Sequence, residues 1–208
     1  MKVTVFGASG KVGRLVVAEL LERNHSVIAF VHKFNPFEDE SEVKVVQGDI
    51  ASAEDVKMAL EGSGAAISCL GSWGRPGRNV LSTAMEQIIP AMEQQGIKRI
   101  VTLTGSGANA PYHIPGFGHR LMMRLVAPFP AGKVFHDGEQ HMKLLADSSL
   151  DWTTLRSPVM KASGSTGYSL AEKAGLSFLS RPAVAKALVD QLESTEYIHQ
   201  APIIRPGN

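Results

Sequence analysis

The chain has 208 residues, of which 44% are apolar, and a formal net charge of +1. This length fits one domain with a sizeable core, and the near-neutral charge gives no broad electrostatic support for binding nucleic acid or membranes. The single cysteine, Cys69, cannot form an internal disulfide, which suits a reducing cytosol and predicts no metal cluster. No run approaches the ~18 apolar residues of a membrane span, and no signal peptide is visible, so we expect a cytoplasmic protein.

Strand patterns alternate with helical patterns over the first 105 residues. Short apolar runs predict strands at residues 3–6, 26–31, 43–46, 65–70 and 99–104. Helices are predicted from Val12 to about Asn24, after Ser52, where Asp55 completes a capping pattern, and over residues 80–94. This alternation is typical of a doubly wound, Rossmann-type α/β fold: a parallel sheet with helices on both faces, in a single domain over residues 1–208.

The second half of the chain is less regular. Residues 105–132 are rich in Gly, Pro and Met, with a short helix predicted over residues 119–126. Beyond them the patterns predict helices at 137–147 and 181–192, and strands at 152–155 and 202–205. Because ligands of open α/β sheets bind beyond the carboxyl ends of the strands, we expect the substrate side to be built mainly from residues 105–180.

A glycine-rich loop, GASGKVG at residues 7–13, separates the first strand from the first helix. Its GxxGxxG spacing differs from the GxGxxG of many dehydrogenases, but the glycines serve the same purposes. Gly7 permits a sharp turn, Gly10 lets the backbone approach a pyrophosphate, and Gly13 lets the helix pack on the strand. The helix N-terminus offers N–H groups and a positive dipole end to phosphate. The loop predicts dinucleotide binding; the alternative is a tight turn without a ligand.

The end of the second strand bears on the choice of cofactor. NAD-specific sites usually carry an acidic residue there to bind the ribose 2′-OH. Here the strand ends in Val31-His32-Lys33, without an acid. The sequence therefore favours NADP(H) over NAD(H), and the alternative is that His32 and Lys33 are ordinary surface residues.

Two further residues lie where they can reach a nucleotide. Asp49 follows the third strand and can accept a hydrogen bond from the adenine amino group, or it can act in the turn before Ser52. Arg75, in the loop before residue 80, can reach phosphates, or it is simply exposed to solvent.

Six segments together resemble the atypical short-chain dehydrogenase/reductase family, and within it the NmrA-like and biliverdin-IXβ/flavin reductase branch. They are GASGKVG at 7–13, GDI at 48–50, SCLG at 68–71, KRIVTLTGSG at 98–107, LDWTTLRSP at 150–158 and LSRPAVAKALVDQL at 179–192. The resemblance covers nearly the whole chain and implies a Rossmann fold with NADP(H) across the strand ends. Many relatives have an arginine for the 2′-phosphate where this chain has His32, so Lys33 is the substitute we expect.

The resemblance also implies a set of cofactor contacts. The residues concerned are Gly7, Ala8, Ser9, Gly10, Lys11, Val12 and Gly13 at the pyrophosphate, Asp49 and Ile50 at the adenine, Leu70 and Gly71 at the ribose, Thr104 at the end of the fifth strand, and Pro158, Val159 and Met160 at the nicotinamide.

The usual proton donor of short-chain dehydrogenases, a Tyr-xxx-Lys pair, is absent from the sequence. None of the tyrosines at 112, 168 and 197 is followed by lysine four residues later. We take Thr104 and Ser106 as candidates for positioning the substrate or ordering a water; each hydroxyl can equally cap a strand end. His141 is the histidine candidate for an acid near neutral pH, although a lone histidine is more often structural.

The leading hypothesis is an NADPH-dependent reductase of a planar, apolar small molecule such as a flavin or quinone, acting as a monomer or homodimer. Trp73 and the apolar stretch at 117–129 motivate the planar acceptor, and hydride transfer is mostly the cofactor's own chemistry. The alternative is a non-catalytic NADP(H)-binding sensor of the NmrA-like type that acts through a protein partner. A third reading, a sugar-nucleotide epimerase, is disfavoured by the short chain and the missing tyrosine pair.

Overall fold

The computed structural model of the protein describes residues 1–38, 41–71, 79–113, 121, 124–125, 129–172 and 177–207. The described strands and helices follow in chain order: β1 (Lys2–Phe6), α1 (Gly13–Glu22), β2 (Ser26–Val31), β3 (Val43–Gln47), α2 (Ala53–Leu60), β4 (Ala65–Ser68), α3 (Val80–Gln94), β5 (Arg99–Gly105), α4 (Pro130–Ala146), β6 (Asp151–Ser157), β7 (Val159–Lys161), β8 (Tyr168–Ala171), β9 (Phe178–Ser180), α5 (Arg181–Glu193) and β10 (Ile203–Pro206).

Eight strands form one sheet in the order β3-β2-β1-β4-β5-β6-β10-β8. All neighbouring pairs are parallel except β8, which runs antiparallel to β10. The chain leaves β3 at one edge and returns as β4 on the other side of β1, so the strand order reverses between β1 and β4. In doubly wound sheets a ligand crevice forms at that reversal, at the carboxyl ends of the strands.

Helices cover both faces of the sheet, because the central strands are apolar on both sides. Two consecutive residues of β1 show this: Val5 packs in the core cluster beneath α1 and α5, whereas Phe6 packs in the cluster beneath α2, α3 and α4. Phe6 also contacts Phe30 of β2, with ring centroids 5.4 Å apart. Continuous apolar runs of this kind are typical of parallel strands that are buried on both faces.

The predicted fold class is confirmed, with two corrections in the second half. Helix α4 begins at Pro130 rather than at residue 137, with proline in its first turn, where the missing N–H costs nothing. The short strands β7, β8 and β9 were not predicted, and the antiparallel β8 makes the sheet mostly rather than wholly parallel. Arg75, Trp73 and most of the predicted helix at 119–126 lie outside the described residues.

The lengths of the helices and the grouping of the polar side chains bear on membranes and metals. None of the described helices is both long and apolar enough to cross a bilayer. Within the same residues, no group of three or more His, Cys, Asp or Glu side chains is arranged to hold a metal ion.

Candidate nucleotide-binding site

The glycine loop folds tightly at the crevice between β1 and β4. Gly7 has a φ of +74°, and a Cβ atom there would lie 3.1 Å from the backbone of Cys69 and Leu70. A Cβ at Gly13 would lie 2.2 Å from the carbonyl oxygen of Gly7, because α1 presses directly on the loop. These contacts confirm the structural roles predicted for Gly7 in the turn and Gly13 in close packing.

The N-terminus of α1 differs from those of α2 and α5. Ser52 caps α2 by accepting a hydrogen bond from the Asp55 N–H, and Ser180 caps α5 by accepting one from the Ala183 N–H. On α1 no side chain forms a cap and no acidic residue occupies the first turn. The positive end of this helix dipole is therefore not neutralised by the chain itself, which is the arrangement that suits an anionic ligand.

Arg14, which the sequence patterns did not single out, connects the glycine loop to the segment after β2. Its Nε donates a hydrogen bond to the carbonyl oxygen of Ser9 (3.1 Å). Its guanidinium carbon lies 5.3 Å from the centroid of the exposed Phe34 ring, which is cation–π distance. The only sequence signal for this residue is its position, one residue beyond the last glycine of the loop.

Further basic residues lie in the glycine loop and at the end of β2. His32 and Lys33 are exposed at the end of β2, and Lys11 is exposed in the glycine loop. The Nδ1 atom of His32 lies 3.2 Å from the carbonyl oxygen of Gly48. The first three residues after β2 are thus His32, Lys33 and Phe34, and a basic surface borders the place where Rossmann folds bind the adenosine ribose.

Asp49 forms a turn at the start of α2. Its Oδ1 accepts a hydrogen bond from the Ala51 N–H (3.0 Å), and its own N–H donates to Oδ2 of Asp55 (2.8 Å). The turn chemistry considered for Asp49 is therefore present, and its contact with adenine stays a prediction. Ile50 is half-buried against the core beneath α2 and α3.

The residues predicted to contact the ribose and the nicotinamide lie at the same edge of the sheet. Leu70 is half-buried after β4, and a Cβ on the exposed Gly71 would have no neighbour within 4 Å in the part of the chain that the structure describes. Pro158 is buried after β6, whereas Val159 in β7 is 67% exposed and Met160 is half-buried. Their cofactor contacts remain predictions.

Thr104 and Ser106 end β5, two strands away from the glycine loop. Thr104 is buried, and a Cβ on Gly138 would lie 2.4 Å from its Oγ1, so α4 passes directly over this hydroxyl. Ser106 is half-buried, and its N–H donates to the carbonyl oxygen of Ser157 (2.8 Å). Both residues share the carboxyl edge of the sheet with the glycine loop.

His141 lies in the core instead of at this edge. It is 1% exposed, its Nε2 lies 2.9 Å from Oγ1 of Thr102, and that oxygen lies 2.8 Å from Oγ1 of Thr154. Burial lowers the pKa of His141 to about 4, against the opposing effect of the Asp137 carboxylate. The expectation that His141 donates a proton to a substrate does not fit this placement, because the neutral ring is enclosed between α4 and β5.

Residues 7–195 match the NAD(P)H-binding family. The chain belongs to the NAD(P)H-binding family. The match begins at Gly7, so it includes the whole glycine loop, the carboxyl edge of the sheet and α5.

A curated relative and two solved structures are similar to this NAD(P)H-binding protein. It is 30% identical over 168 residues to 2-alkyl-3-oxoalkanoate reductase of Stenotrophomonas maltophilia, covering 75% of this chain but only 50% of that enzyme. ChuY, an anaerobillin reductase from Escherichia coli O157:H7, superimposes with a TM-score of 0.79 at 22% identity, covering 99% of this chain and 97% of ChuY. A short-chain dehydrogenase/reductase from Veillonella parvula, in complex with NADP, gives a TM-score of 0.77 at 19% identity, covering 98% and 94%.

These likenesses confirm the family resemblance predicted from the sequence motifs. The protein is a Rossmann-type member of an NAD(P)H-dependent oxidoreductase family. Since the chain spans about half the length of the curated reductase, the activity of that enzyme is not carried over to it.

Proposed function

We propose that this protein is an NADPH-dependent reductase of a planar, apolar acceptor such as a flavin or quinone. The observation that carries the cofactor part is the position of Arg14, between Ser9 of the glycine loop and the Phe34 ring. With His32 and Lys33 beside it, this surface attracts a 2′-phosphate, and it offers no carboxylate at the end of β2 for a 2′-OH. The NADP complex of the Veillonella parvula protein supports this assignment by analogy.

In this proposal the loop at residues 7–13 holds the pyrophosphate against the uncapped N-terminus of α1. When bound, the reduced nicotinamide supplies the hydride. The chain's own task is to orient the acceptor and to exclude water. We assign the orienting hydroxyl to Ser106, which is half-buried at the same edge of the sheet, because α4 covers the Thr104 hydroxyl.

An exposed apolar pair offers a surface for a flat acceptor. Val159 and Phe178 are opposite each other in the β7–β9 pair and are 67% and 60% exposed. The Nζ of Lys161 lies 5.2 Å from the centroid of the Phe178 ring, which adds a positive charge to this surface. An apolar wall with a single charge fits a planar, electron-accepting molecule. The likeness to ChuY, an anaerobillin reductase, supports this choice of acceptor.

A turnover assay tests the proposal. NADPH oxidation is followed with flavin, quinone and aldehyde panels, and we expect turnover with the flavin or quinone and faster reaction with NADPH than with NADH. The variant Phe178→Ser is expected to raise the KM for the acceptor and to leave NADPH binding unchanged, because Phe178 is not among the predicted cofactor contacts. Binding of NADPH without oxidation above background in every panel would refute the reductase.

The second candidate is a non-catalytic NADP(H) sensor that acts through a protein partner. The specific observations in its favour are the lack of a Tyr-xxx-Lys pair in the sequence and the burial of His141, the histidine proposed as the acid. It predicts NADPH binding without turnover and a co-purifying partner whose binding differs between NADPH and NADP⁺.

A further inference from the structure

A buried cation lies near the carboxyl end of β6, in register with Thr104 of β5 and three strands from β1. Arg156, in β6, is 4% exposed. Its Nε donates to the carbonyl oxygen of Ala201 (2.7 Å), its Nη1 to that of Ala108 (3.2 Å) and its Nη2 to that of Glu172 (3.4 Å). Three separate segments of backbone therefore hold one guanidinium in place.

The charge of this guanidinium is only partly compensated. None of the described carboxylates forms a salt bridge with Arg156, and carbonyl dipoles supply only partial charge. Burial lowers the pKa of Arg156, as expected for a cation that lacks an anionic partner. A guanidinium has five N–H groups, and three are used here, so one N–H on each terminal nitrogen has no bond to the described residues.

A cavity of about 270 Å³ borders Arg156. Tyr112, Tyr197, Leu170 and Pro202 line it with rings and apolar surface. The Oη of Tyr112 accepts a hydrogen bond from the Ala201 N–H (2.7 Å), so its own proton remains available to donate. The cavity thus combines a cation, a hydroxyl donor and an apolar wall.

Glu172 supplies negative charge at the rim of the cavity. Its side chain is exposed. The pKa of Tyr197 is raised mainly by burial, then by the nearby Glu196 carboxylate, and to a smaller extent by the Glu172 carboxylate. A dianion such as phosphate is repelled by this rim more strongly than a monoanion. The planar fork of Arg156 also matches the two oxygens of a carboxylate.

We propose that this cavity is a binding site for a small organic carboxylate with an apolar or aromatic body. The carboxylate accepts hydrogen bonds from Arg156 and Tyr112, and the body of the ligand lies against Tyr197, Leu170 and Pro202. The site is bordered by β6, β10 and β8, whereas the glycine loop lies beyond β4 and β5. It does not depend on the proposed reductase activity, because binding is measured without nucleotide.

The test is calorimetric titration of the full chain with benzoate, benzyl alcohol and inorganic phosphate. We expect benzoate to bind at least about tenfold more tightly than benzyl alcohol or phosphate. Benzyl alcohol has no carboxylate to accept two bonds from the guanidinium fork. Phosphate has no apolar body to lie against the cavity wall, and its second charge is repelled by Glu172. Equal or absent binding of benzoate and benzyl alcohol would overturn the proposal.

Variants locate the site. Glu172→Gln removes the rim charge and is expected to tighten benzoate binding about two- to threefold. The control Glu61→Gln, at the C-cap of α2 near the other end of the sheet, leaves it unchanged. Arg156→Lys keeps the charge but loses the fork, and is expected to weaken binding about tenfold. If Arg156→Lys does not fold, Tyr112→Phe replaces it as the weakening variant. If Glu172→Gln and the weakening variant both bind benzoate with the affinity of the wild type, the ligand binds elsewhere and the assignment is refuted.

Discussion

Ser82, at the start of α3, donates two hydrogen bonds to the buried carboxylate of Asp137 on α4. One comes from its backbone N–H (3.0 Å) and one from its hydroxyl (2.7 Å), both to Oδ1. The Leu81 N–H donates to Oδ2 (3.0 Å), and Asp137 is 2% exposed. Asn79, the residue before α3 begins, forms no side-chain cap. One helix therefore caps its neighbour, and the negative charge of Asp137 meets the positive end of the α3 dipole.

Replacing this cap is expected to destabilise the protein. In Asp137→Asn the side chain loses its charge, and one acceptor oxygen becomes an amide donor that faces the Leu81 or Ser82 N–H. A buried charge-assisted bond replaced by a donor–donor contact costs about 2–3 kcal/mol. Urea unfolding measures the difference. Asp147→Asn, at the exposed C-cap of the same helix, is the matched control and is expected to change the free energy of unfolding by less than about 0.5 kcal/mol. Equal effects of the two variants would contradict the capping role.

The buried His141 predicts a dependence of stability on pH. Its pKa is lowered from the ordinary 6.5 to about 4 in the folded protein. Between these values the unfolded chain binds more protons, so the free energy of unfolding rises with pH. The stabilisation is fully present above about pH 6.5 and is lost as the pH falls toward 4. Its full size is about 3 kcal/mol, at 1.4 kcal/mol per pKa unit.

Unfolding experiments between pH 4 and pH 7 measure this slope. His141→Gln removes the titrating group and is expected to flatten the slope, whatever the variant's absolute stability. His136→Gln, on the exposed side of the same helix, is the matched control and keeps the wild-type slope. If the free energy of unfolding of His141→Gln depends on pH as steeply as that of the wild type, the pH dependence arises from other groups.

The first half of the fold was predictable because local and tertiary requirements agree there. The helix over residues 80–94 lies at its predicted bounds, and the apolar runs became β1 to β5. The start of α4 was not predicted, because Gly132 and Gly138 disfavour a helix locally; Gly138 leaves the space that the Thr104 hydroxyl occupies. Strands β7 and β9 have three residues each, which is too short for a periodic signal.

The candidate site was predictable only where a motif is contiguous in sequence. The loop at residues 7–13 is such a motif. Arg14 contacts the ring of Phe34, which is twenty residues away in the sequence. Arg156 is held by carbonyl groups from three distant segments. For Arg156 the sequence holds one hint, a charged residue inside a strand that is otherwise buried. Contacts between remote segments follow from the fold, so local patterns do not contain them.

Two glycine substitutions separate packing from ligand contact. In Gly13→Ala the new Cβ would lie 2.2 Å from the Gly7 carbonyl oxygen, so α1 must move and the loop must deform. We expect a loss of about 1–3 kcal/mol in the free energy of unfolding, as for overpacked cores, with weaker NADPH binding. In Gly71→Ala the new Cβ meets none of the described residues within 4 Å, so stability should be unchanged and only a bound ribose would be obstructed. NADPH affinity that stays at the wild-type level in Gly71→Ala would remove Gly71 from the cofactor site.

The basic surface after β2 predicts which nucleotide binds. Arg14→Gln and Lys33→Glu should each weaken NADPH binding about tenfold or more, since a charge-assisted bond to phosphate contributes about 1.5–3 kcal/mol. NADH lacks the 2′-phosphate, so its affinity should change less than about threefold. Fluorescence titration with both nucleotides measures the two dissociation constants. Lys44→Glu, an exposed lysine near the start of β3, makes the same charge change away from the carboxyl edge and should leave both constants unchanged. Equal losses of NADPH and NADH affinity in Arg14→Gln and Lys33→Glu would mean that these residues bind the pyrophosphate or stabilise the loop, and would refute the assignment of a 2′-phosphate site to them.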